Sequence, residues 1–215
     1  MFPRRLLRLL ILVVGLSLAA GGLGKAAGSD PVGFINELVD QALKALDNKQ
    51  LSTEDRARQF RELLDQDFDM TRIAHFVLGR YWKEASEQDR QRFQMLFEEY
   101  VVRAYAQRFS DYSGEKVKIT GSRPESETST LVQSQIIRPD GAPPAKVDWR
   151  VRKADGGFKI VDVDVEGVSM VLTQREEFSS VIQRSGGLAG LNKTLEQKLA
   201  SGDTTLAAPP GAKRD

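Results

Sequence analysis

The amino-acid sequence predicts an α+β domain: helices first, then an antiparallel sheet of about four strands, then helices again. Three features predict it. Apolar residues recur at helical spacing from Phe34 to Phe109, the period shortens to two at Ser113-Gly114, and the helical period returns after Gly167. The 215 residues, 40% hydrophobic and 28% charged, give room for one such domain with a core that folds without covalent staples.

Asp30-Pro31 reads as a helix start, a capping carboxylate followed by Pro at the first helical position. Phe34, Ile35, Leu38, Val39, Ala42, Leu43 and Leu46 then share one face. Ser52 and Asp55 resemble a capping box, and Phe60, Leu63 and Leu64 form the buried side of the helix that follows. Asp69 caps a short helix carrying Ile73, Ala74 and Val77, which Gly79 ends or bends. Ser86 opens the longest helix, whose stripe runs through Phe93, Phe97, Tyr100, Val101, Tyr105 and Phe109. In the strand region Val117 and Ile119 alternate with lysines, residues 128–138 are partly apolar on both faces, and Val147, Trp149 and Val151 alternate with Asp148, Arg150 and Arg152. Asp155-Gly156-Gly157 marks a hairpin, the phase slip at Ile160-Val161 marks a bulge, and Gly167 is expected to close the sheet. A further helix ends at Gly186-Gly187, and Leu188, Leu191, Leu195 and Leu199 define the last one.

The first residues read as an export signal. Arg4, Arg5 and Arg8 precede an apolar run of about ten uninterrupted residues and then a zone of Ala and Gly, the pattern of a cleavable signal peptide over residues 1–27. The remaining 188 residues carry 27 basic and 30 acidic side chains, a formal charge of −3. The expected organisation is therefore a signal peptide (1–27), one exported domain (28–200) and a loose tail (201–215). With no basic excess, nucleic acid is not an expected partner.

Chemistry-bearing motifs are scarce. The sequence has no Cys and one His, so thiolate sites are excluded and a zinc centre or a Ser-His-Asp triad is improbable. There is no Walker loop, G-x-G-x-x-G, G-x-S-x-G or H-E-x-x-H. His75 is expected to be a partly buried histidine satisfied by a backbone carbonyl. Asp162, Asp164 and Glu166 could hold a hard cation but suit the outer face of a two-layer fold better. An enzyme would require His75 and a carboxylate such as Asp148 to converge. No catalytic residue, metal or cofactor is expected. Eight aromatic residues between Phe76 and Phe109 suit either a solid core or the wall of a cavity with a wet mouth.

Several segments carry a family resemblance: PVGFINELVDQAL, FDMTRIAHFVLGRYWKEAS, FQMLFEEYVVRAYAQRF, VDWRVRKADGGFKIVDVDVEGVSMVLTQREEF and IQRSGGLAGLNKTLEQKL. Through them, from about Asp30 to Leu199, the chain resembles the MlaC family of periplasmic phospholipid-binding proteins, also known as toluene-tolerance auxiliary proteins. The resemblance implies a twisted antiparallel sheet flanked by helices around a deep apolar cavity that takes the acyl chains of a glycerophospholipid. It implies no enzymatic activity. The implied partners are an inner-membrane ABC transporter bearing a ring of MCE domains and an outer-membrane lipoprotein–porin complex, met by a monomeric carrier. A sister branch associated with hopanoids makes a polycyclic lipid the alternative cargo. Periodicity and resemblance together put Phe97, Tyr100, Val101, Tyr105, Val132, Ile136, Val147, Trp149, Val163 and Val165 on the cavity wall, with Val168, Met170 and Val171 at its rim.

Overall fold

The computed structural model describes residues 30–48, 50–106 and 112–202. The expected signal peptide, Phe109 and the tail beyond Gly202 lie outside the described residues.

Five helices come first: α1 (Pro31–Asp47), α2 (Thr53–Asp67), α3 (Met70–Leu78), α4 (Arg80–Glu84) and α5 (Glu87–Ala106). Their starts are local events. Asp30 accepts from the amides of Val32 and Gly33 at 2.8 and 2.9 Å. Ser52, Asp69 and Ser86 accept from Asp55, Arg72 and Asp89 at 3.0–3.1 Å. Each bond satisfies an amide that the first helical turn leaves without a partner. Gly79, at φ 53°, ends α3 with its amide on His75 O.

A meander of five antiparallel strands follows in sequential order: β1 (Lys116–Pro124), β2 (Ser129–Ile137), β3 (Ala145–Ala154), β4 (Gly157–Val165) and β5 (Val168–Ser169). The expected bulge is present: Arg150 pairs with Asp162 and Val151 with Ile160, leaving Val161 as the extra residue. A second bulge, at Thr120, shifts β1 against β2. Gly167 does not close the sheet. Glu166 and Gly167, at φ 52° and 81°, turn the chain back so that Val168–Ser169 adds a short fifth strand. Glu166 is held in that left-handed conformation by bonds in both directions with the backbone of Lys146.

Two more helices follow among the described residues, α6 (Met170–Ser185) and α7 (Leu188–Ser201). Gly186 in the left-handed conformation ends α6. The two helices approach closely at Gly190, where a Cβ would stand 2.1 Å from Ser185 O.

Two apolar clusters result. In one, α3, α5, α6 and α7 bury Phe93, Phe97, Tyr100 and Phe178, with ring centroids 5.4–6.3 Å apart. In the other, the first half of α1 (Phe34, Ile35, Leu38, Val39) lies on the sheet over Val132, Val151 and Ile160. Phe68 touches both clusters, and its backbone bridges to Ile160. Lys159 fastens the end of α2 to β4 by donating to the carbonyls of Asp65 and Gln66. On the far side of α2, Arg61 pairs with Glu98 (2.9 Å) and Glu99 of α5.

Candidate functional site

The helical period of α1 continues past the residues that meet the sheet. Ala42, Leu43, Ala45 and Leu46 are half-buried and face a cavity of about 550 Å³ enclosed by α1, α2 and strands β1–β3. The wall formed by α1 runs from Leu38 to Leu46, about 12 Å at 1.5 Å per residue. Phe60 and Leu63 of α2 with Phe68 form a second side, and Val117, Ile136, Val147 and Trp149 form the floor on the sheet. The two alanines contribute little side-chain volume where α1 faces the cavity.

Trp149 is the largest floor residue, and its indole is fixed in place. Its Nε1–H donates to Ser134 Oγ at 3.0 Å, and Ser134 Oγ–H donates to Val147 O at 2.6 Å. Ser134 is only 1% exposed, so this relay satisfies polar groups that water does not reach. Among the described residues the charged lining consists of Arg56, Glu115 and Arg138, with Tyr112 beside them. A pocket of this volume with an apolar lining and few polar groups is the ordinary form of a small-molecule or lipid site.

Of the residues expected on the wall, Ile136, Val147 and Trp149 line this cavity. Val132 is fully buried beneath α1, Val163 packs against that same cluster, and Val165 pairs with Val147 across the strands. Phe97 and Tyr100 are elsewhere. They lie in the helical cluster with Val101 packed against it, because the stripe of α5 faces α3, α6 and α7. Tyr105 is 38% exposed with its ring 6.1 Å from Phe60. Of the expected rim, Val168 is exposed, Met170 half-buried and Val171 buried against the helices. Periodicity does not single out α1 and α2 as cavity walls. The long apolar face of the first helix, with its two alanines, was the available sign.

The side chains considered for catalysis do not converge. His75 is exposed rather than partly buried, with its ring 4.8 Å from that of Trp82, and it opens onto a groove between α3 and α6 with Arg72 and Arg175. Asp148 lies in a different cleft with Lys146, Asp164 and Glu166. Asp162 is 7% exposed and acts as a joint. It pairs with Arg150 at 2.7 Å and accepts from Val163 N, Ser169 Oγ and Val171 N, tying β4 to the start of α6. Asp164 beside it is pushed above the usual carboxylate range by burial and by the Asp162 charge. Among the described residues no group of three or more His, Asp or Glu is placed to hold a metal. Nor is any described helix long and apolar enough to cross a membrane.

Comparison with known proteins adds to this geometry. Residues 36–197 match the family described as "MlaC protein". The chain is 27% identical over 113 residues to the intermembrane phospholipid transport system binding protein MlaC of Haemophilus influenzae, covering 51% of this chain and 53% of that protein. It is 22% identical over 117 residues to the toluene tolerance protein ttg2D of Pseudomonas putida, covering 54% and 53%. The chain thus spans about half the length of these curated relatives. A solved structure of the same fold is the phospholipid-binding protein of Ralstonia solanacearum in complex with a phospholipid. It superposes with a TM-score of 0.71 at 24% identity and covers 81% of this chain and 99% of that one.

Proposed function

Because the chain belongs to the MlaC family, we propose that it is a periplasmic carrier of glycerophospholipid that holds acyl chains in the cavity between α1, α2 and the sheet. The observation that carries this reading is the cavity itself, about 550 Å³ with a lining that is mostly apolar among the described residues. In this reading the N-terminal signal peptide exports the chain, and the carrier moves lipid between an outer-membrane lipoprotein–porin complex and the MCE-domain ring of an inner-membrane ABC transporter. The names of the relatives, a phospholipid transport binding protein and a phospholipid-bound structure, support that assignment.

The physics constrains the mechanism. Exposing two chains of about sixteen carbons to water costs about 25 kcal/mol at ~0.8 kcal/mol per methylene. An apolar cavity removes most of that cost and makes passage through water feasible. Bilayer and cavity are similarly apolar, so the transfer is nearly balanced in free energy. Docking on a partner lowers the barrier to lipid leaving the membrane, and ATP hydrolysis by the transporter sets any net direction. The chain itself performs no chemistry on the lipid.

The test is native mass spectrometry of protein purified gently from periplasm. A co-purifying diacyl lipid is expected. A polycyclic adduct would replace the cargo assignment, and a ligand-free mass that persists after incubation with phospholipid vesicles would overturn the carrier reading.

A further inference from the structure

The charged part of the cavity lining contains two guanidinium groups without a carboxylate partner. Arg61, Arg92, Arg103 and Arg150 each pair with at least one carboxylate. Arg56 and Arg138 pair with none among the described residues. Arg56 Nη2 donates to Asn48 O at 3.3 Å, while its Nε is shielded from water and has no hydrogen-bond acceptor. Arg138 Nη2 donates to Pro143 O at 3.1 Å. These neutral carbonyls restrain both side chains and leave their charge uncompensated.

Glu115 and Asp47 are engaged elsewhere. The Glu115 carboxylate accepts from Ser113 N at 2.8 Å and Ser113 Oγ at 3.0 Å, and the backbone bond from Ser113 holds it below the usual carboxylate range. Asp47 interacts with the Tyr112 hydroxyl. Among the described residues the charged lining of the cavity, Arg56, Arg138 and Glu115, sums to one net positive charge beside walls that are otherwise apolar. A guanidinium is a planar fork of donors that matches the oxygens of a phosphate better than those of any neutral ester.

We propose that Arg56 and Arg138 form a phosphodiester clamp at the mouth of the cavity, which selects lipids bearing a backbone phosphate over neutral lipids with the same acyl chains. This rests on the lipid-carrier reading above. The acyl chains enter between α1 and the sheet, and the phosphate stays at the rim against the two guanidinium groups. A neutral diacylglycerol fills the same cavity but leaves both cations without an anion.

The experiment loads the mature protein from vesicles holding phosphatidylglycerol and diacylglycerol of matched chains in equal amounts, and reads the bound ratio by native mass spectrometry. The wild type should favour phosphatidylglycerol by about tenfold, the scale of losing charge-assisted bonds. R56Q/R138Q should bring the ratio near one, and R56K/R138K should fall between. Each single Gln variant serves if the double variant does not fold. A wild-type ratio near one, or a ratio unchanged in folded Gln variants, overturns the clamp but leaves the carrier. Protein that loads neither lipid overturns the carrier reading itself. Excess inorganic phosphate should leave the ratio unchanged. Its collapse under phosphate would assign the arginines to a free anion instead.

Discussion

Filling the cavity from α1 is the most direct perturbation of the proposed carrier. Ala42 is half-buried on α1 and faces the cavity. Ala42→Trp adds about nine heavy atoms, and an indole of that size excludes about five methylenes of a bound chain; at ~0.8 kcal/mol each this is about 4 kcal/mol. Part of the loss returns because the indole itself offers apolar wall to the methylenes that remain. The expected weakening is therefore tenfold to a few hundredfold, about 1.4–3.5 kcal/mol. The fold should tolerate the change, since Trp in place of Ala costs a helix only about 0.5 kcal/mol. Asn36→Trp, on an exposed position of the same helix, is the control. The assay is lipid occupancy after vesicle loading, measured beside thermal denaturation. Wild-type occupancy in folded Ala42→Trp would refute the assignment of this cavity to acyl chains.

Three further outcomes follow from the packing. Ser134→Ala removes the hydroxyl that links the Trp149 indole to Val147 O, leaving the indole N–H short of a partner. It should cost about 1–2 kcal/mol, a fall in Tm of roughly 3–6 °C, and an unchanged melt would show the relay to be dispensable. Asp162→Ala deletes the joint between β4 and α6 and should cost about 3 kcal/mol in chemical denaturation. Arg150 keeps Glu125 and Asp164 as partners, which holds the loss near the low end for a broken buried pair. Burial raises the Glu177 carboxyl from 4.5 to about 7, so between those values the native state holds a proton that the unfolded chain has released. Stability from this group is complete below about pH 4.5 and is lost as the pH rises through about 7. Glu177→Gln should therefore be more stable than wild type at pH 8, by about 1 kcal/mol after solvent screening, and equal to it at pH 4; equal stability at both would refute the shift.

The features legible in the sequence are those decided within a few residues. Asp30, Ser52, Asp69 and Ser86 cap helices because a short polar side chain reaches an amide two or three positions ahead. The bulge at Val161 was visible as a slip in the two-residue period. Alternation together with the family resemblance oriented Ile136, Val147 and Trp149 toward the side of the sheet on which the cavity lies. The helices behaved differently. The stripe through Phe97 and Tyr100 announced a buried face, but periodicity does not specify the surface that buries it, and α6 and α7 cover it rather than the sheet. The same limit concealed α1 as a cavity wall, since Phe34 and Leu46 lie on one apolar face although the first meets the sheet and the second faces open volume. Arg56 and Arg138, distant in the chain, line one cavity only through the fold. Propensity, capping and period are local properties of the chain, whereas an empty volume is the distance left between surfaces contributed by separate segments, and only the tertiary packing sets that distance.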